Sequence, residues 1–401
     1  MTNNQIDAVT NLIMAKFQEA NIEYIKLITD HINDIGNLSA TDLHRLEQYA
    51  RMDVNVAKIE EELAKACNMS QKQVSMMINQ QASDTYIAQK KWYKAAGVKQ
   101  VAYAKNSGAT QLSRAIYRRT FKTMQNISRT TSIYADYKAI VDEASLLVSQ
   151  GVENFDKAIS KSIRQLQSKG ITTQTYPEKL RKNPAYTRWA NAINKGEIPI
   201  TTPPPKMYLE GELNRRLDSA LRMNLKEATR SITQGMLRLT GEEFGADGVE
   251  IDAHEPCAED HLDIQGWHGT YDEFETLNNS LERPIGELNC GHEAIPIKLS
   301  AYEPTYSKEE LDEMREFSKE RIELVEGEKQ PTRYQCSQKM RNLETKIREQ
   351  KEKYMGGDAK ARAEATMQIK KYKQQYKYIA DKSGLPMSTR KMKVSGYTGR
   401  Y

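Results

Sequence analysis

No proline precedes Pro177, and no glycine lies between Gly36 and Gly97. Without the two residues that most readily break helices, so long a stretch favours helix. Runs of valine and isoleucine are nearly absent there too, which argues against a sheet. Cysteine is scarce: Cys67, Cys257, Cys290 and Cys336 stand far apart. That argues against a disulfide framework and makes a reducing compartment the default. No stretch approaches the roughly 20 apolar residues of a membrane span. The first 20 residues lack the basic start and apolar core of an export signal. No glycine-rich loop of the Walker type occurs, which makes the chain a poor candidate for a nucleotide-driven motor. Neither G-x-S-x-G nor HExxH occurs. The acidic pairs Glu242/Glu243 and Glu309/Glu310 are adjacent in sequence, so on a helix they point to different sides and form no acid/base dyad.

What is present is charge, in blocks. The chain has 401 residues, 38% apolar and 28% charged, with a formal net charge of +5. That length suffices for two or three cores, and the wet composition suits long exposed helices. Residues 85–135 carry ten Lys/Arg and no acid; 241–330 carry 25 acidic and seven basic residues; 341–401 carry 16 basic and six acidic. Such blocks steer partners of opposite sign. Lys90, Lys91, Lys94, Arg114, Arg118, Arg119 and Lys122, with Arg390, Lys391 and Lys393 near the end, are the candidate nucleic-acid contacts. They would neutralise phosphates without reading sequence. The bland alternative is a solvated helix face. Trp92, Tyr93, Tyr103, Tyr117, Phe121, Tyr134 and Tyr137 interleave with the first block. They are either stacking platforms or a core flanked by snorkelling basic stems.

Periodicity predicts helices through residues 5–66 and 70–167, and a helix from Gly151 closed at Gly170. A proline-rich connector follows, and helix resumes near Leu209. Residues 245–254 alternate as a strand, with a second short strand at 294–299. Ser307 and Glu310 form a capping box. The tract after Tyr334 reads as a long exposed helix or a helical hairpin broken at Gly356–Gly357, followed by a loosely ordered basic arm. The expected divisions are 1–170 helical; 171–208 connector; 209–304 a helix plus a small α/β His/Cys-rich domain; 305–380 long helical; and 381–401 basic tail. The fold class is mainly α with a small α/β domain, elongated helical arms surrounding a compact centre.

Four of the six histidines, His254, His261, His268 and His292, fall in one window with Cys257 and Cys290. His254-x2-Cys257-x3-His261 offers three ligands in eight residues, and Cys290-x-His292 adds two. A Cys/His set of four suits tetrahedral Zn²⁺, with Glu259 or Asp260 orienting a histidine. The competing readings are a hydrogen-bonded staple of loops and a catalytic cluster.

The segment 249–297 resembles a family of phage minor capsid proteins from phages of Gram-positive hosts. The resemblance rests on Asp252-Ala253-His254, His261, Gln265-Gly266, Asn289-Cys290-Gly291-His292 and Pro296. Leu221-Arg222-Met223-Asn224 and the run from Tyr134 to Gly170 add weaker matches. Relatives place Gly-Ala-Arg-Pro between the first two histidines where this chain has Glu255–Asp260, so no role of that arginine carries over, and Cys257 stands in its neighbourhood. The resemblance implies a structural protein of the tailed phage head, in the host cytoplasm during assembly and then in the virion. It implies the portal protein, other head proteins and packaged double-stranded DNA as partners, with no membrane. The alternative is a metal-dependent nuclease or hydrolase built on His254, Asp260, His261 and His292. A third reading, an ADP-ribosyl-transferring domain using Arg222, has no supporting spacing.

Overall fold

A computed structural model describes residues 1–36, 42–150, 155–174, 214–281, 285, 290–327 and 330–399. The expected connector lies almost wholly outside the described residues, as do Asn37, which the sequence suggests as a break after the first helices, Ser39 and Thr41, its candidate caps for the next helix, and Gly151 and Asn289. Seven helices come first: α1 (Asn3–Ile35), α2 (Asp42–Met69), α3 (Gln71–Ala88), α4 (Lys90–Ala95), α5 (Ser107–Arg129), α6 (Ile133–Ser149) and α7 (Phe155–Lys169). A two-stranded ribbon pairs β1 (Thr172–Gln174) with β2 (Asn214–Arg216) and leads into α8 (Leu217–Phe244). Next come β3 (Gly248–Ile251), β4 (His268–Thr270), α9 (Tyr271–Ser280) and β5 (Ala294–Ile297). The C-terminal helices are α10 (Lys308–Lys319), α11 (Arg333–Gly356) and α12 (Ala359–Ser383). The structure is thus mainly helical with a small α/β part.

The capping box at Thr2 starts α1: Thr2 Oγ1 accepts from the Gln5 amide (3.3 Å), and Gln5 Oε1 accepts from the Thr2 amide (2.8 Å). At about 1.5 Å per residue α1 runs about 50 Å. Its Ile13, Met14, Phe17, Tyr24, Ile25, Ile28 and Ile32 recur at three and four and are buried. They join one core with residues of α2, α3 and α5 to α8. Each such side chain fully buried contributes about 1.5–3 kcal/mol. Within this core His31 is a structural histidine. Its Nδ1 faces Tyr137 Oη (2.6 Å) and its Nε2 faces Gln48 Oε1 (2.7 Å), and burial holds its pKa below the ordinary value.

The long helix α8 stands apart from its sequence neighbours. The sequence groups it with the His/Cys segment, yet Leu221, Leu225, Ala228, Ile232 and Met236 pack in the N-terminal core, against α3 and α5. Only its C-terminal end meets the small sheet. There a Cβ on Gly241 would lie 2.7 Å from Pro296 Cβ, so glycine permits the helix to touch β5. The sheet has the order β4-β3-β5, antiparallel throughout, with Val249 opposite Gly269 on one side and Pro296 on the other. Pro296 sits on an edge strand, where a missing donor is tolerated. All four residues of β3 are buried. Strict alternation predicts Glu250 outside; instead it is buried and accepts from Tyr302 Oη (2.7 Å), Thr305 N (3.0 Å) and Thr305 Oγ1 (2.6 Å). The expected box at Ser307 and Glu310 caps α10.

The helical hairpin forms as α11 and α12, around a second core that includes Cys336, Met340, Ile347, Tyr376 and Ile379. It is docked on the bundle: α11 crosses α1 so closely that a Cβ on Gly356 would lie 2.8 Å from Ile25. The expectation of a loosely ordered C-terminal arm is corrected. Met392 and Val394 are buried. The carbonyl of Arg390 accepts from Asn11 Nδ2 (2.9 Å), that of Lys391 from Arg348 Nη1 (2.7 Å) and that of Met392 from Lys351 Nζ (2.6 Å). Apolar plugs and captured carbonyls pin this segment against α1 and α11, despite its basic composition.

A buried charge network joins these parts. Asp218 takes Arg348 Nε on Oδ2 (2.9 Å) and Arg216 Nε on Oδ1 (3.3 Å). Arg216 also pairs with Glu352 and donates from Nη1 to the carbonyls of Ser168 (3.0 Å) and Lys169 (2.8 Å) at the end of α7. Asn21 of α1 donates to Glu352 (2.7 Å) and accepts from the Ile171 amide (2.6 Å). Burial alone would push the Asp218 carboxyl up, but Arg348, Arg216 and Arg222 more than offset it and hold it below the usual carboxylate range.

Breaking a buried charged network strands its remaining charges. Asp218→Asn is expected to cost about 3 kcal/mol at pH 7 by denaturant unfolding. Because the folded pKa is depressed, that contribution is present above the unfolded value of about 3.9 and is lost as pH falls through the folded value. The gap between the two proteins must therefore narrow below about pH 4; a gap independent of pH would contradict the pairing. Glu250→Ala leaves three donors without their acceptor and is expected to cost about 3 kcal/mol. Hydrogen exchange should accelerate first at residues 302–306.

Candidate metal centre and basic surfaces

Antiparallel pairing of β3 and β5 places the loop that follows β3 beside the segment that precedes β5. Asp252 secures the junction: its amide donates to Glu293 O (3.1 Å) and its Oδ1 accepts from Glu293 N (2.6 Å). Burial, reinforced by Glu293 and Glu250, pushes its carboxyl up to about 7. The loop then runs through the cis peptide Glu255–Pro256 into a 3-10 turn at residues 259–264, which carries His261 inward.

His261, Cys290 and His292 converge, with ligand atoms within 4.8 Å of one another and all three side chains buried. Cys290 Sγ is 3.3 Å from His261 Nδ1 and 3.4 Å from His292 Nδ1. These three could hold a metal ion. The other two expected ligands border the group. His254 stacks on the His292 ring, with centroids 4.2 Å apart. Cys257 Sγ is 3.7 Å from His292 Nε2, on the opposite edge of that ring from Cys290. His268 lies on β4, its ring 4.6 Å from Tyr302. Asp260, expected as an orienting group, has Oδ2 3.7 Å from His261 Nε2.

Two neighbours carry no signal of their own in the sequence. Gln265 Oε1 accepts from the His254 amide (2.8 Å) and lies 3.3 Å from His292 Nε2. Ser318 of α10 accepts from the Cys257 amide (3.0 Å), tying the loop to the C-terminal helices. Gln265 belongs to the Gln-Gly pair of the resemblance, but nothing in that pair says which histidine it meets.

The basic candidates are surface residues. Lys90, Lys91 and Lys94 on α4 are exposed, with Lys91 Nζ 5.1 Å from the Trp92 ring centroid. On α5 the apolar face, with Ile116, Phe121, Met124 and Ile127, turns inward. Arg114, Arg118, Arg119 and Lys122 turn outward. Arg119 also reaches Ser231 Oγ of α8 (2.7 Å). Arg114 and Arg118 line an open groove of about 510 Å³ with Asn79, Tyr103 and Tyr117. Near the C-terminus Arg390 and Lys393 are exposed and Lys391 is half-buried. The interleaved aromatics divide: Tyr93, Phe121 and Tyr137 are core, Trp92, Tyr103 and Tyr117 are half-buried, and Tyr134 is exposed.

No curated protein and no solved structure matches the chain. Residues 1–190 match a family described as phage minor capsid protein 2. The match falls on the helices α1 to α7 and the basic block, while the His/Cys segment whose motifs carry the resemblance lies beyond it. Over those residues the chain is similar to phage minor capsid proteins, a family of structural proteins of the phage head.

Proposed function

We propose that the protein is a minor component of the tailed phage head that sits near the portal and touches packaged DNA. The observation that carries this reading is the outward face of α5, within the residues that match the family. Arg114, Arg118 and Lys122 stand four residues apart there, and no acid lies between residues 85 and 135. Residues three and four apart share one face of a helix, so the helix presents a row of cations with no acid beside it in the sequence. Such a row suits phosphates of any sequence. The acidic stretch 241–330 would meet basic surfaces of other head proteins.

The His261–Cys290–His292 cluster is read as a zinc site, because nitrogen and sulfur donors suit that ion; three protein ligands leave a fourth position open, so the structural role rests on the burial of the three side chains. A metal-dependent nuclease or hydrolase at the same cluster needs an exchangeable water and a path for substrate. His261, Cys290 and His292 are only 1%, 2% and 3% exposed, which favours the structural reading.

Mass spectrometry of purified particles is expected to find the protein at reproducible copy number, with cross-links to the portal protein. Its absence from particles would overturn the head assignment. Duplex DNA affinity should fall by orders of magnitude between about 50 and 200 mM salt. The Arg114→Ala, Arg118→Ala double variant should reduce the slope of log K against log salt by about 2. A flat salt response would sink the DNA contact. Elemental analysis of protein purified without chelator should show stoichiometric zinc.

A further inference from the structure

This inference rests on the metal reading and specifies it. A neutral imidazole carries its proton on one nitrogen and presents a lone pair at the other; the acceptor beside it selects which. In both His261 and His292 the Nδ1 atom faces Cys290 Sγ, at 3.3 and 3.4 Å. In both, Nε2 faces an oxygen: Asp260 Oδ2 at 3.7 Å and Gln265 Oε1 at 3.3 Å. The orientation of the Gln265 amide follows from its other contact, because only its oxygen can accept the His254 N–H at 2.8 Å. Gln265 therefore draws the His292 proton to Nε2, and the Asp260 carboxylate, beyond hydrogen-bond reach, biases His261 the same way through its charge, so that both Nδ1 lone pairs turn toward the sulfur.

Tetrahedral zinc, with bonds of about 2.0–2.1 Å to nitrogen and about 2.3 Å to sulfur, sets nitrogen and sulfur ligands about 3.5 Å apart. The observed separations of 3.3 and 3.4 Å fit that edge. A single S–H serves one nitrogen at a time, whereas a cation bound to the thiolate engages all three atoms together. Cys257 lies 3.7 Å from His292 Nε2, on the edge of the ring away from this triad.

We infer that a zinc-class ion is held by Nδ1 of His261, Nδ1 of His292 and Sγ of Cys290, with Gln265 and Asp260 as positioning residues that set the two tautomers and Cys257 outside the ligand set. Backbone pairing prepares the site before any ion arrives, through the Asp252–Glu293 bonds and the bond from Gly266 N to Ile251 O (3.0 Å). Outer acceptors of this kind are worth about 10- to 100-fold in metal affinity.

The test is titration of the full-length, metal-stripped protein with Co²⁺ and then Zn²⁺, following the thiolate-to-cobalt absorption band, with circular dichroism as the folding control. The wild type should show the band, with the intensity of one thiolate, and lose it to Zn²⁺. Cys290→Ser should lose the band, and Cys257→Ser should keep it. Gln265→Met, which removes the acceptor at similar volume, should weaken affinity about 10- to 100-fold, and Gln265→Glu, which keeps an oxygen there, should restore most of it. No band in the wild type would defeat the metal reading itself. A normal wild type with unchanged affinity in Gln265→Met would overturn only the tautomer assignment. Loss of the band in Cys257→Ser, with the fold intact, would overturn the exclusion of Cys257.

Discussion

Asp218 is the carboxylate on which the assembly of the molecule turns. It sits one residue into α8, where a helix N-terminus already favours negative charge. Arg216 reaches from it to the C-terminal carbonyls of α7 and to Glu352, and Arg348 reaches from it to the tail. The N-terminal bundle, the ribbon, the C-terminal hairpin and the segment around Lys391 thereby share one set of buried charges. Charges taken out of water are tolerated only when their geometry is complete. That fixes how the hairpin docks, since Ile25 against Gly356 supplies contact area but little direction.

The same helix links that network to the His/Cys segment. One end of α8 begins in the buried charges; the other ends against β5 through Gly241 and Pro296. The small sheet is thus carried by the bundle, and Ser318 ties the histidine loop to α10 from the far side. Thus α8 joins a buried ionic hub at one end to, near the other, a loop on which His261, Cys290 and His292 converge. The exposed cations of α5 stand on the face of a helix whose opposite face is core, so their positions are set by packing.

Much of the element-level structure was legible. The proline-free first third forms helices, Val249 and Ile251 form a strand, Ser307 caps α10, and the break near Gly357 makes a hairpin. Each rests on local chemistry: backbone freedom, alternation, or a cap within one turn. The site was legible in part. His261, Cys290 and His292 stood out by composition, but not their separation from Cys257, because spacing along the chain does not say which edge of an imidazole a sulfur will face. The tail was misread for a related reason. Basic composition near a terminus suggests solvent, and what holds it is Arg348 and Lys351 some forty residues upstream.

By itself the sequence determined what local rules can reach: the helical class, the order of elements, the charge blocks, and a window rich in sulfur and imidazole. These follow from residue type and near-neighbour spacing. Only the tertiary structure decided that α8 belongs to the N-terminal core, that Glu250, Asp218, Arg348 and Glu352 are buried rather than solvated, and that two imidazoles turn the same nitrogen toward Cys290. A charged residue on a helix looks alike in sequence whether it faces water or a partner more than a hundred residues away. The difference lies in desolvation and pairing, and these exist only once distant segments meet.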